Sequence, residues 1–263
     1  MKSPARFRGA YAADSDTWHL AEIDYILCQP NHDPSDRILD LGCGDGGRVR
    51  ALALRGYKNV VGVDSLPAIV GTTRQHSQKK GFQGRFVQAD PLHCPFPDHY
   101  FDEILILGDL FGHSSSPIHD TELLNEAERM LRAGGTLWLS MVDGEWVRTH
   151  YQPDGVEPLA GGFLCRHRTL SPDGSRLTTR TIVADQEHGV ATDQVFTEWL
   201  YEPKTLTNTL HQLGFETISY RTPQLGFVPQ PHIRSMPPRY LVRCSAPFPV
   251  GKTVRRVEMS GRQ

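Results

Sequence analysis

The stretch Ile38-Leu-Asp-Leu-Gly-Cys-Gly-Asp-Gly-Gly47 constrains this chain more than any other. An apolar run passes straight into glycines and small polar residues, and a helical pattern follows from Gly46 to about Arg55. A buried strand, a glycine turn and a helix in that order open a doubly wound α/β sheet, with ligand held beyond the strand's carboxyl end. Glycine is needed in such a turn because the backbone must take positive φ and approach the ligand closely. Gly42, Gly44 and Gly47 satisfy G-x-G-x-x-G, while Asp40, Gly42, Gly44 and Gly46 satisfy D-x-G-x-G-x-G. The two spacings point to different nucleotides.

The rest of the chain keeps the same rhythm. Asp16 can cap a helix that runs to about Gln29, where Pro30 ends it. Strands are expected at Arg37 to Leu41, Asn59 to Val63, Arg85 to Gln88, Phe101 to Leu107 and Thr136 to Met141. Between them, Ser65 and Pro67 open a helix closed by Gly81. Asp120 is expected to cap a helix carrying Leu123, Leu124, Ala127, Met130 and Leu131, stopped by Gly134 and Gly135. Strands this apolar alternate with helices only when a parallel sheet is covered on both faces.

Beyond the fifth strand the pattern changes. Gly162 to Thr169, Arg176 to Ala184 and Val190 to Tyr201 are β-rich, and Ser171-Pro-Asp-Gly174 joins the first two as a turn. These predict an antiparallel insertion. A helix from Pro203 to Leu213 and strands at Phe215 to Arg221 and Arg239 to Ser245 follow, separated by a proline-rich loop at 222–238.

Bulk properties narrow the function classes. With 263 residues, 38% hydrophobic and 22% charged, the chain suits one large α/β domain carrying an insertion. A net charge of −2 supplies no basic field for nucleic acid, and only the two ends are mildly basic. Five cysteines without a C-x-x-C pair argue against a disulfide framework and a zinc site, and for a cytoplasmic, reducing setting. The spacings of His113 with His119 and of Cys165 with His167 lack partners for a metal, so none is expected. No apolar run is long enough for a membrane span.

Three features separate the two nucleotides. Asp64 is not one of them, because a carboxylate ending the second strand suits the ribose of NAD and of S-adenosylmethionine alike. Asp40, however, would repel a pyrophosphate and favour the ammonium of a methionine moiety. Gln88-Ala89-Asp90 ends the third strand with a carboxylate where an adenine amino group can donate. The double glycine in Leu131-Arg-Ala-Gly-Gly-Thr-Leu137 is likewise outside the dinucleotide fingerprint. In the order I-L-D-L-G-C-G-D-G, V-G-V-D, V-Q-A-D, P-F-P-D-H-Y-F-D and L-R-A-G-G-T-L, the chain resembles class I S-adenosylmethionine-dependent methyltransferases. The motifs cover residues 37–141, and the last helix and strands extend the likeness to about residue 247.

The resemblance implies a Rossmann-like seven-stranded sheet in the order 3-2-1-4-5-7-6, its last strand antiparallel. It implies that Gly42 and Gly44, with Asp40 and Cys43 in the same turn, approach the methionine part. Asp64 and Ser65 would hold the ribose, Ala89, Asp90 and Pro91 the adenine, and Gly108 the amino group. In the small-molecule branch, which includes glycine and amino-sugar N-methyltransferases, an N-terminal segment covers the cofactor, which brings in Tyr11.

Methyl transfer from a sulfonium needs alignment and a nucleophile with a free lone pair. Gly108-Asp-Leu-Phe-Gly-His113 should line the methyl end, with Asp109 steering a cationic amine, His113 acting as base and Phe111 forming wall. The alternative is that Asp109 caps a turn and His113 is an ordinary loop residue. The segment is not N-P-P-Y or D-P-P-F, which disfavours a nucleobase acceptor. Trp18, Trp146, His150, Tyr151, Trp199 and Tyr201 are further candidates for the acceptor pocket, though aromatics in strands and helices are also core-formers. The expected organisation is an arm and helix at 1–30, a core at 31–144 and 202–247, a lid at 145–201 and a tail at 248–263. The expected function is methylation of a nitrogen or oxygen on a small molecule. A protein or tRNA modifier, or a scaffold that binds S-adenosylmethionine without transfer, are the alternatives.

Overall fold

The computed structural model describes residues 15–67, 85–114, 116–159, 161–185, 189–221 and 238–247, with Val70, Gly71, Thr73 and Gln75. The expectations for the arm that holds Tyr11, for most of the 222–238 loop and for the tail lie outside these residues. The described residues open with α1 (Ser15–Leu27), β1 (Arg37–Leu41), α2 (Gly47–Leu54), β2 (Asn59–Asp64), β3 (Arg85–Gln88) and β4 (Phe101–Ile106). Then come α3 (Pro117–Met130), β5 (Leu131–Val142), α4 (Gly144–His150), β6 (Asp154–Leu159), β7 (Gly162–Leu170), β8 (Arg176–Asp185) and β9 (Gly189–Trp199). The last elements are α5 (Pro203–Gln212), β10 (Glu216–Arg221) and β11 (Arg239–Ser245).

Seven strands form one sheet in the order β10-β11-β5-β4-β1-β2-β3. β1, β2, β3, β4 and β5 run parallel, while β11 pairs antiparallel with both β5 and β10. Read from the other edge, this is the expected 3-2-1-4-5-7-6 sheet. Its central strands are buried on both faces: Ile38, Leu39, Leu41, Val63, Ile104, Ile106, Leu137 and Leu139 are all 1% exposed or less. Two apolar layers result. One packs β-strand residues against α3 and α5 through Leu123, Leu124, Leu206 and Leu210. The other packs Ile23 and Ile26 of α1 against Val49 and Leu52 of α2 and Trp138 of β5.

A second sheet, β6-β7-β8-β9, is antiparallel throughout. Three of its strands were legible as β-rich segments. The fourth, β6, was not, because Asp-Gly-Val-Glu-Pro-Leu carries both Gly155 and Pro158, and proline is found in sheets only at edges such as this one. Two further expectations are corrected. Ser116, not Asp120, caps α3, its hydroxyl accepting from the Ile118 N–H at 3.2 Å. The double glycine does not stop that helix; α3 ends at Met130, and Gly134 and Gly135 lie within β5. Among the described residues no helix is long and apolar enough to cross a membrane.

Candidate active site

The glycine turn is built from β1 and gripped by β2. Gly42 and Cys43 both donate their N–H to the Val63 carbonyl at 2.8 Å, and Gly44 N–H donates to Asp64 Oδ2 at 3.1 Å. Asp64 Oδ1 accepts from the Leu66 N–H at 3.0 Å, so its carboxylate is fixed at the rim with lone pairs to spare. Gly46 has φ 72°, and a Cβ there would stand 2.5 Å from Thr73 Cγ2 and 2.8 Å from the Phe86 ring. Only glycine fits. Cys43 turns its side chain into the core, its Sγ 2.8 Å from where a Gly62 Cβ would lie, so this residue offers only backbone to a ligand.

Asp40 lies within β1, two residues before Gly42. It is wholly buried, neither carboxylate oxygen has a hydrogen-bond partner, and burial pushes its carboxyl up to about 7 against the opposing pull of Arg48. Beside it Arg48 of α2 donates from Nε to Glu22 Oε2 of α1 at 2.5 Å, and both side chains are buried. Along the rim, Ala89 N–H donates to the Asp64 carbonyl at 3.2 Å, tying the end of β3 to that of β2. Asp90 is exposed there, with Oδ1 accepting from the Leu92 N–H at 3.0 Å; Ser65 is exposed and Pro91 half-buried.

At the end of β4 a second cluster gathers. Gly108 has φ 78°, and its carbonyl accepts from Arg239 Nη2 at 2.6 Å. Arg239 also donates from Nε to Ser140 Oγ at 2.8 Å, and its Nη1 lies 3.5 Å from Asp109 Oδ1 and 3.6 Å from Glu198 Oε1. The same Glu198 oxygen is 3.1 Å from His113 Nε2. His113 Nδ1 is buried with no partner. Burial works against charge on the imidazole, but the hydrogen bond and charge of Glu198 outweigh it and hold the ring above the usual histidine range. Asp109 and His113, both singled out in the sequence, therefore share one cluster with Glu198 and Arg239, which were not. No local spacing announces those two; they meet the loop only when β9 and β11 fold over it.

The remaining aromatic candidates divide. Phe111 is a core residue, 2% exposed, with its ring 4.9 Å from that of Tyr201. The Tyr201 hydroxyl donates to Asp120 Oδ2 at 2.7 Å, and Gly112 N–H donates to Asp120 Oδ1 at 3.2 Å. Trp199 N–H donates to the Gly112 carbonyl at 2.7 Å and its indole N–H to the Ser114 carbonyl at 3.0 Å. Trp199 and Tyr201 thus fasten the end of β9 to the loop that carries His113. Trp146 and His150 stack at 5.0 Å on the exposed face of α4, and Tyr151 packs beside Val142, Val147, Leu177 and Leu200 at the junction of the two sheets. Trp18 lies on α1, but its side chain is outside the described residues. Among the described residues no group of His, Cys, Asp and Glu gathers at metal-holding distance.

Comparison with known proteins agrees with this architecture. A family model described as a methyltransferase domain matches residues 38–135. Demethylmenaquinone methyltransferase of Thermus thermophilus is 36% identical over 121 residues, 46% of this chain and 51% of its own. The chain spans about half or less of the length of the curated relatives it matches. Among solved structures, an S-adenosylmethionine-dependent methyltransferase from Clostridium acetobutylicum superposes with a TM-score of 0.75 at 13% identity, covering 92% of this chain and 99% of the other. CalS10, an amino pentose methyltransferase from Micromonospora echinaspora solved with S-adenosylmethionine bound, gives 0.65 at 19% identity over 94% and 98%. Residues 38–135 thus match a methyltransferase domain, and the chain shares its fold with S-adenosylmethionine-dependent methyltransferases.

Proposed function

We propose that the protein transfers the methyl group of S-adenosylmethionine to a nitrogen or oxygen atom of a small molecule. The observation that supports this reading is His113, on the loop after β4, with a buried unpartnered Nδ1 and its Nε2 3.1 Å from Glu198 of the second sheet. The residues at the turn fit the donor. A buried carboxylate without partners at Asp40 suits an ammonium, and glycines at 42 and 44 leave the backbone clear. Asp64 would accept from the ribose hydroxyls and Asp90 from the adenine amino group, with Ser65, Ala89 and Pro91 completing the rim. Gly108 would meet the amino-acid end, and Cys43 would contribute its backbone.

When bound, the donor supplies a sulfonium-activated methyl group and a neutral thioether leaving group. What the chain must add is alignment, dryness and proton removal. With Nε2–H donated to Glu198, neutral His113 presents a lone pair at Nδ1, the arrangement needed to take a proton from an acceptor O–H or N–H. Asp109 and Arg239, 3.5 Å apart in the same cluster, would present opposite charges to orient a polar acceptor. Phe111 and Tyr201 would serve by shaping the loop, and Trp199 by docking the second sheet. Tyr11, Trp18, Trp146, His150 and Tyr151 remain candidates for the pocket mouth.

The small-molecule reading draws support from relatives named for demethylmenaquinone and sterol substrates and from sugar methyltransferases of the same fold. Five cysteines that form no disulfide support a reducing, cytoplasmic setting. The test is direct. The full chain is incubated with methyl-labelled S-adenosylmethionine and a panel of small amines, phenols and sugar alcohols, and label in an acceptor is measured. Transfer that is lost in His113→Ala supports the proposal. Absence of both transfer and S-adenosylhomocysteine binding rejects it.

A further inference from the structure

We infer that Phe196 and Thr181, on the core-facing side of the second sheet, bind the methyl acceptor, and that the acceptor is a ring carrying at least one hydroxyl group besides the atom methylated. The inference rests on the proposed transfer reaction and names the acceptor class which that reaction leaves open.

Strand alternation sorts the second sheet into two faces. On β8 and β9 the register sets Leu177 opposite Glu198, Thr179 opposite Phe196 and Thr181 opposite Gln194. These residues alternate along their strands, so they share one face. That face turns to the core: Glu198 Oε1 is 3.1 Å from His113 Nε2, and Leu177 packs with Val147 of α4. Arg180 and Asp193 lie on the opposite, outer face, where they form an exposed ion pair at 2.6 Å.

Two residues of the inner face carry the argument. Phe196 is 38% exposed although its ring lies only 6.1 Å from that of His113. An aromatic ring beside the proposed base and still open to water is a surface on which a second ring can pack, through a flat π face or a C–H face. Thr181 is the converse case. It is 2% exposed, and its Oγ1 is buried with no hydrogen-bond partner. A hydroxyl both donates and accepts, and leaving one unpaired in the interior is a cost that a valine of the same shape would avoid. Its charged neighbours on the same face are engaged elsewhere. Arg166 pairs with Glu157, and Arg168 Nη1 donates to the Gln152 carbonyl at 3.3 Å.

A ligand whose ring covers Phe196 and whose hydroxyl meets Thr181 accounts for both features. A bare polycyclic or isoprenoid acceptor would cover the ring and leave the buried oxygen unpaired, so the face selects against it.

The test measures dissociation constants by ligand-observed NMR on the full chain saturated with S-adenosylhomocysteine. The probes are two matched pairs, 2-aminocyclohexanol with cyclohexylamine and catechol with phenol. Within each pair the second member keeps the ring and a nucleophile and lacks one hydroxyl; between pairs the ring changes from saturated to aromatic. In at least one pair the hydroxylated member should bind about tenfold or more tightly, as in a site built to pair with that group. Thr181→Val should bring this ratio to within about twofold of unity, and Thr181→Ser should keep it. The thermal midpoint of Thr181→Val and its affinity for S-adenosylhomocysteine should equal or exceed those of the wild type. Phe196→Ala should weaken both members of the pair by about tenfold. The inference is overturned by ratios near one in both pairs, by no binding of any probe, by a ratio unchanged in Thr181→Val, or by affinities unchanged in Phe196→Ala. A Thr181→Val protein that melts several degrees earlier also overturns it, because the hydroxyl would then serve the fold. A chain that does not bind S-adenosylhomocysteine rejects the donor reading, which is a different failure.

Discussion

Replacing Asp40 with Asn should make the ligand-free protein more stable at pH 8 while weakening its hold on S-adenosylhomocysteine. The carboxyl is raised from 3.8 to about 7 because burial strips it of water and nothing donates a hydrogen bond to it. A folded-state value above the unfolded one means that the native protein binds the proton more tightly. The contribution of this group to stability is therefore full below about pH 4, is lost as pH rises through the interval, and is gone above about 7. A shift of about three pH units corresponds to about 4 kcal/mol at most, less whatever relaxation or water entry relieves. Urea unfolding of the wild type and Asp40→Asn at pH 5 and pH 8 reads this out. The wild type should lose several times more stability than the variant between the two. Calorimetric titration with S-adenosylhomocysteine at pH 6.5, in two buffers of different ionisation enthalpy, adds a second reading. An ammonium that favours the ionised carboxylate should expel up to about three-quarters of a proton from the wild type and none from Asp40→Asn. Equal pH slopes for the two proteins, with no proton release on binding, would refute the assignment of Asp40 to a buried, ligand-facing charge.

Other perturbations act on separate parts of the site. Glu198→Gln should lower the titration midpoint of His113, followed by NMR, because it removes the charge and the hydrogen bond that raise it. The stabilisation from this pair should be present below about pH 6.5, the ordinary histidine value, and vanish as pH rises through the higher folded-state midpoint. Gly46→Ala should cost about 2 kcal/mol or more in chemical denaturation, since a positive φ and contacts of 2.5 and 2.8 Å oppose the new methyl group. An unchanged midpoint would show that the turn can relax. Tyr201→Phe should cost about 1–3 kcal/mol by removing a donor from buried Asp120, and proteolysis within the loop that carries His113 should quicken. In labelled-methyl assays, His113→Ala should slow transfer to a hydroxyl acceptor by about a hundredfold or more, the scale of lost general-base catalysis.

The parallel sheet and the glycine turn were legible because their signals are local, whereas the strand order followed only from the family resemblance. Apolar runs such as Ile38–Leu41 and Val60–Val63 each state their own burial, and positive φ at Gly42, Gly44 and Gly46 depends on the turn alone. Asp40, Asp64, Asp109 and His113 stood out for the same reason, since each ends or follows a strand of that sheet. Long-range packing decided the rest. Asp120 reads as a cap from its place before an apolar helical run, yet the fold buries it and spends both its oxygens on Gly112 and Tyr201. Glu198 and Arg239 are 41 residues apart in sequence, and each is unremarked among its neighbours. Only the docking of β9 and β11 around the end of β4 sets both beside His113 and Asp109. The same holds for Glu22 and Arg48, which become a pair once α1 packs on α2. Backbone conformation and strand burial are properties of short segments, so sequence determines them directly. Which charges meet in a low-dielectric interior depends on where distant segments come to rest, and only the tertiary structure decides that.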